Sequence, residues 1–523
     1  MAAIITDQFR IINANNFMED VTSGNNSYYA FLGLANPTYA GFGRTDTWNS
    51  TTLQPPSPVD SIEYNNHVYD TMLFGRKVFP GDVRRLVKKI TWTKGTSYDM
   101  YRHDYNSENR SLVSNSSRLY SSNYYVMNRD YRIYICINNG SAGISTIASA
   151  SLDEPTFTDL EPSAAGVSGD GYLWKYLFTV PPADIVKFDS TEYIAVPNDW
   201  STSTDNDVTV VRNNGDSDTN SNQIKVVSID ESGTGYSFLS SPIEVDIVGD
   251  GSGGKVRILT NTNGQVISAQ VTNGGKGYSY GRIDLSSING NATKFARLTP
   301  VIPPSKGHGY DLYKELGTDK VLIYTRFDAS SYDFASDTRF AQVGLIRNPS
   351  AIGAAGTNYL QTSEFSSLKA FKFTGDTSQV LGVGTAITQN ISGVGTARGY
   401  VASYDIDTKV IKYFQDKSLV MNQSTFDQTD SVDVASQAPV LTFQSTADAV
   451  TSTAFSVNVD QTFSGISTTT PSGKVVDLGV QFTNGVASEE INKRSGEIIY
   501  LDNRPAITRN LRQKEDIKIV LEF

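Results

Sequence analysis

Short apolar runs broken by Gly, Asn, Asp, Ser and Pro recur along the chain, and this punctuation constrains the fold more than any single motif. Runs of that kind between turn formers suit strands joined by turns. The 28 Tyr and 24 Phe, together with frequent Thr and Val, reinforce the preference. The chain is therefore expected to be mainly β with few short helices. Its 523 residues exceed one ordinary core, and 39% hydrophobic content suffices for several, so a multi-domain protein is expected.

The balance of 44 basic against 55 acidic residues gives a net charge of −11. Without a basic block, such a chain is a poor match for a nucleic-acid backbone or an anionic membrane surface. Protein partners fit better. Cys136 is the single cysteine, which excludes an intramolecular disulfide and any four-thiolate metal site within one chain. Its setting, "YRIYICINNG", predicts a buried strand thiol. The first residues lack a basic stretch leading into an apolar one, and no apolar run approaches about 18 residues. The reading is a soluble protein made in a cytoplasm.

The clearest helical pattern is "PGDVRRLVKKITW", with Pro80 first and Val83, Leu86, Val87 and Ile90 at helical spacing. Arg84, Arg85, Lys88 and Lys89 would then form a solvated face. "PPSPVDS" (55–61) reads as a rigid connector. In "GDGYLWKYLFTVPPADIVKFDSTEYIAVP" (169–197) a Gly turn precedes an aromatic strand, followed by a Pro-Pro break and a second strand. Trp174, Tyr176 and Phe178 alternate with Lys175 and Leu177, which predicts an aromatic packing face. Residues 201–223 read as a polar linker or long loop.

Beyond that point a repeat emerges. "IDESGTGYSF" (229–238) recurs as "VTNGGKGYSY" (271–280), with Gly233, Gly235 and Tyr236 matching Gly275, Gly277 and Tyr278. Two similar β units are expected. Between them, "VGDGSGGKV" (248–256) has the G-x-x-x-x-G-K spacing of a phosphate-binding loop. Such a loop needs a helix at its exit and a hydroxyl after the lysine, and this one has neither. Val256 follows Lys255, and the chain continues as strand, Asn263-Gly264 turn, strand. These glycines are read as turn residues, and no nucleotide is expected. From 354 to 484 the sequence is again Gly/Ser/Thr-rich, with "GTAITQNISGVGTARGYVASYDIDTKVIKYFQ" patterned as strands with tight turns. "STADAVTSTAFSVNVDQTFSGISTTTPSG" is read as ending in a flexible link. At the end, "SGEIIYLDNRPAITRNLRQKEDIKIVLEF" predicts two strands turning at Asp502–Arg504, with Pro505 stopping the first.

Catalytic and metal signatures are missing from the pattern. His67, His103 and His308 lie at no ligand spacing, His103-Asp104 is only a sequence neighbourhood, and Glu489-Glu490 point apart. "DASSYDF" and "DIDTK" lack the spacing of a calcium loop. No catalytic, cofactor-binding or metal residue is assigned, and no cofactor or small-molecule substrate is expected.

Several stretches together resemble the baseplate wedge proteins of T-even-type contractile-tailed bacteriophages, the gene-product-eight family. The carriers are "RSGEIIYLDNRPAI" with "KEDIKIVLEF", "GDGYLWKYLFTVPP" with "TEYIAVP", and "TDQFR", "FGRTDTW", "PPSPVDS" and "GRKVFPGDVRRLVKKITW", plus "RFAQVGLIRNP". They fall in the family's order. The resemblance implies an Ig-like or β-sandwich framework in segments 1–203, 304–353 and 486–523, with two inserted β-rich lobes at 204–303 and 354–485. It implies a structural virion protein of the tail baseplate: a homodimer bound to other wedge proteins, with no nucleic acid, membrane or catalytic role. The alternative is a host carbohydrate-binding or carbohydrate-cleaving tail protein using the Gly/Tyr repeat.

Overall fold

The computed structural model describes residues 5–34, 68–141, 148–214, 223–288, 290–328, 339–354, 358–377, 379–415, 419–429, 437–508 and 514–523. The chain is mainly β, with few short helices, as its punctuation predicts. It divides into two compact units. One comprises 1–18, 83–322 and 519–523; the other comprises 19–82 and 323–518. "PPSPVDS", "FGRTDTW" and His67 lie outside the described residues.

In the first unit, an aromatic core is built on three antiparallel strands, Tyr125–Met127, Arg132–Asn139 and Tyr172–Thr179. Trp174 is fully buried and stacks on Tyr172 at 5.3 Å, while Cys136 is buried opposite it, as expected. Register shifts at Ile133/Tyr134 and Cys136/Asn138 break the simple alternation, so Lys175 is also buried. After the strand, Pro182 opens a short helix, Pro182–Phe188, because its fixed φ suits the first helical position.

Two expectations are corrected here. "PGDVRRLVKKITW" is not a helix: a 3-10 turn at Pro80–Asp82 leads into a strand, Val83–Lys88, paired with Tyr193–Val196. Both faces of that strand find cover, so the β-branched residues are placed in a sheet and the helical spacing carries no weight. Residues 206–213 form a helix within the expected linker. The Asp205 side chain caps it by accepting from Asp207 N, and Val211 is buried in the aromatic core.

The same unit contains a smaller core drawn entirely from residues 224–302. It lies under a four-stranded antiparallel sheet of Val266–Asn273, Lys255–Thr260, Ile243–Gly249 and Gly281–Ile283, with a pair formed by Arg297–Pro300 and Val227–Glu231. The hairpin at Asn263-Gly264 is present, with Gly264 at φ 68.

The second unit holds a five-stranded antiparallel sheet ordered Glu364–Ser366, Met72–Lys77, Tyr28–Gly33, Arg339–Arg347, Glu497–Thr508. Segments more than four hundred residues apart in the chain thus share one sheet, with Tyr29, Phe31 and Ile346 buried beneath it. The last strand corrects another expectation. It runs through Asp502 and Pro505 to Thr508, and the register shift between Phe340 and Gln342 accommodates the proline. A bulge is where a sheet tolerates a residue without an N–H.

Six further strands in this unit close on themselves. Lys369–Thr374, Val410–Phe414, Gly395–Asp405, Ala386–Ile391, Val450–Ser452 and Phe455–Val459 pair in a ring, because the first pairs with both the second and the last. The interior of this barrel holds Phe371, Phe373, Val401, Ile411, Tyr413 and Phe455. Closure removes the exposed edges that an open sheet would leave. The expected flexible link instead ends in a hairpin, Gly465–Thr469 with Val475–Phe482.

Candidate functional site

The glycine-rich loop is the first place to look for a ligand, and a tyrosine fills it. The turn joins two antiparallel strands, as the sequence predicts. The Tyr278 ring lies against Gly251 and Gly275, where an added Cβ would come within 2.4 Å and 2.7 Å of it. Its hydroxyl accepts from Gly254 N at 3.1 Å and donates to Ile247 O at 2.9 Å. Lys255, the residue that would meet a phosphate, instead faces Glu244 at 3.4 Å and Asp246 at 3.2 Å. The cradle is a socket for the repeat's own side chain.

The other repeat has the same architecture. Gly233 and Gly235, like Gly275 and Gly277, all adopt positive φ. Tyr236 folds back over Gly233, and its hydroxyl accepts from Ala296 N at 2.8 Å. Thr234 bridges to Lys294 just as Lys276 bridges to Ser252. Each G-x-G-Y is therefore a hook whose aromatic ring plugs a neighbouring turn. The residue two beyond each plug points outward, Phe238 at 58% exposure and Tyr280 at 63%.

Where this repeat region meets the aromatic core, Arg102 is the anchor. Its guanidinium grips Asp104 through two bonds of 2.8 and 2.7 Å and reaches Ser228 and Asp230 at 3.0 Å each. Asp230 also accepts from Thr299 Oγ1 at 2.6 Å. Burial pushes the Asp104 carboxyl up, but the hydrogen bonds and charge of Arg102 outweigh it and hold it below its ordinary value. Beside it, His103 Nδ1 accepts from Ile302 N at 3.1 Å. This ring braces the chain where it leaves the repeat region. A second brace surrounds Leu160-Glu161. Lys175 Nζ and Asn214 Nδ2 donate to Leu160 O, and Lys225 Nζ meets Glu161 at 2.5 Å. Desolvation brings the Lys175 ammonium down to about 8.

The remaining candidates are also internal. His308 and Glu315 form a buried pair at 2.5 Å, with the Tyr101 ring edge-on to the imidazole at 4.8 Å. Of the expected solvated basic face, Lys88 is exposed, but the other three residues are braces. Arg84 grips Asp184 at 2.9 and 2.8 Å, Arg85 bonds Asn15 at 2.7 Å and lies over Tyr313, and Lys89 meets Asp189 at 2.8 Å. Glu489 and Glu490 turn to different partners, Lys369 Nζ and Ser366 N. Among the described residues no group of three or more His, Cys, Asp or Glu could hold a metal ion. No helix among them is long and apolar enough to cross a membrane.

The sequence reading missed the Arg102 anchor and the His308–Glu315 pair. "GHGYDLYKEL" carries a faint signal for the latter, since two glycines flank the histidine and a carboxylate follows seven residues on.

These features describe a β scaffold whose polar clusters, among the described residues, are internal braces. No family model matches the chain. It is similar to the Baseplate wedge protein gp8 of Enterobacteria phage T4, 27% identical over 216 residues, which is 37% of this chain. The match spans about 60% of that protein's length.

Proposed function

We propose that this chain is a structural subunit of a contractile-tail bacteriophage baseplate wedge, which dimerises and bridges neighbouring wedge proteins during assembly. The observation that carries the reading is its similarity to a baseplate wedge protein over 216 residues. The five-stranded sheet supports it, since strings that carry the resemblance, distant in sequence, supply all or part of three of its strands, Met72–Lys77, Arg339–Arg347 and Glu497–Thr508. Its working place is the virion's tail baseplate after synthesis in the host cytoplasm. It needs no cofactor and performs no catalysis.

In this reading the two dissimilar regions are lobes inserted into a common framework. The first carries its own core within 224–302, and its ends meet where Val301 N donates to Val226 O at 2.9 Å. The second is the barrel. Its flanks are adjacent, with Ala351 bridged to Ile491 and Ile352 N bonded to Glu490 O at 2.9 Å. Because Glu364–Ser366 belongs to the five-stranded sheet, the barrel lobe is best drawn from 369 to 487. Large mixed apolar and polar interfaces suit such a part.

A second reading, a carbohydrate-binding tail protein, is favoured by one observation: Phe238 and Tyr280 present exposed rings at equivalent slots of the repeat. The two readings separate in a phage carrying an early stop codon in this chain. A wedge subunit predicts lysates without baseplates or sheathed tails. Complete tails that fail only to adsorb to the host would refute it.

A further inference from the structure

We propose that Lys175 and Asn214 condense into an isopeptide bond between strand and helix, with Glu161 carrying the proton and ammonia leaving. Nothing in this chemistry depends on the baseplate reading.

Two rigid elements bring the reactants together. Lys175 lies within the strand Tyr172–Thr179, opposite Ile135, and is 1% exposed. Asn214 closes the helix Asn206–Asn213 and is 7% exposed. Val211 anchors that helix in the aromatic core, and Arg212 Nη1 pins its last turn to Trp200 O at 2.7 Å and Ser203 O at 3.1 Å. Both side chains donate to Leu160 O, Asn214 Nδ2 at 3.1 Å and Lys175 Nζ more closely. Two donors on one acceptor lie within about 6 Å of each other.

The surroundings suit a nucleophile as well as a brace. Burial is the largest influence on the Lys175 ammonium, and with the Lys225 charge it brings the group down to about 8 against the pull of Glu161 and Glu315. About a tenth of the chains therefore hold the neutral amine at pH 7. Glu161 Oε1 accepts from Asn214 Nδ2 at 3.1 Å, so a carboxylate sits on the atom that must leave. Burial pushes this carboxyl up, but the bonds from Lys225 and Asn214 and the charge of Lys175 hold it below its ordinary value.

The Nζ lone pair of the neutral amine attacks Asn214 Cγ. Glu161 takes a proton from Nζ and delivers it to Nδ2, the Cγ–Nδ2 bond breaks, and ammonia departs. One amine and one primary amide give one secondary amide and one ammonia, with no oxidant or co-reactant. Aminolysis of an amide is slow, but well-oriented pairs reach effective molarities on the order of 10⁵–10⁸ M. The freshly folded chain holds Lys175 free, and the bond accumulates on standing. It ties the chain to the aromatic core just before the repeat region, where a lone buried cysteine offers no disulfide.

Incubating the full chain at about pH 9, where most of the amine is neutral, should lower its intact mass by one ammonia, about tenfold faster than at pH 7. Peptide mass spectrometry should then show a branched peptide joining Lys175 to Asn214, with trypsin no longer cutting after Lys175. Lys175→Met and Asn214→Ala should abolish the mass loss. Glu161 is 49% exposed, so Glu161→Gln should keep the fold while slowing the reaction about a hundredfold. An unchanged mass in wild-type chain that keeps its melting temperature overturns the proposal. So does a succinimide or deamidation at Asn214-Gly215 with Lys175 still cleaved by trypsin, and so does cross-linking of Glu161→Gln at the wild-type rate.

Discussion

Replacing Arg102 by Met keeps the aliphatic stem and deletes the charge that holds the repeat region to the aromatic core. The guanidinium side chain is 10% exposed and its partners Asp104 and Asp230 are 27% and 12% exposed. Removing one member of a buried, hydrogen-bonded charge cluster typically costs about 3–5 kcal/mol, because the remaining charges stay desolvated. Asp230 keeps the Thr299 hydroxyl and Asp104 is partly wet, so the low end, about 3 kcal/mol, is expected here. The loss should be local. Hydrogen exchange read by mass spectrometry on the full chain should show protection in Val227–Glu231 and Arg297–Pro300 falling by roughly two orders of magnitude. The Tyr172–Thr179 strand should stay protected. The acid dependence follows from Asp104, whose folded pKa lies below its unfolded value of about 3.9. The stability it contributes is fully present above that pH and is lost as pH falls below it. Arg102→Met should therefore narrow the difference in lobe protection between pH 6 and pH 3. Unchanged protection, or a loss spread evenly over the first unit, would refute the anchor.

Tyr278→Phe removes the bond from Gly254 N and the bond to Ile247 O, and should cost the repeat region about 1–3 kcal/mol, read as faster exchange at the Gly254 amide. ATP with magnesium should give no heat with the wild-type chain by calorimetry, because Tyr278 occupies the glycine cradle. Lys175→Met should be neutral or stabilising at pH 7. Since the folded lysine's pKa is lowered to about 8, wild type should gain on the variant as pH rises from about 8 to 10 in paired denaturant titrations. Excising 369–487 rejoins ends already close, with Glu490 N bonded to Ser366 O at 2.9 Å, so the five-stranded sheet should survive in circular dichroism and cooperative melting.

Local patterning made part of this architecture legible. The Asn263-Gly264 hairpin, the alternation of Ile517, Ile519 and Leu521 with exposed neighbours, and the strand context of the glycine loop all follow from period and turn chemistry. The matched decapeptides predict two similar β units, and in both the same glycines at positive φ precede the same buried ring, although the hook itself is visible only in the structure. Where tertiary cover decided the outcome, the sequence misled. Val83–Lys88 carries a helical spacing, yet a sheet partner and the Asp184 and Asn15 side chains accept both its faces. Pro505 looks like a terminator, but one register shift lets the strand pass it. Barrel closure depends on Lys369–Thr374 pairing with strands about 40 and 85 residues away, and nothing local encodes that. The Arg102 anchor joins residues 126 and 128 positions apart, which no spacing rule reaches.

A reconstruction of the intact phage tail tests most directly whether this chain builds a baseplate. Density matching the five-stranded sheet and the closed barrel is expected at the tail's distal end, repeated around the sixfold axis and touching neighbouring wedge proteins. Absence of the chain from the mature particle, or its placement only on host-binding fibres, would contradict a wedge role.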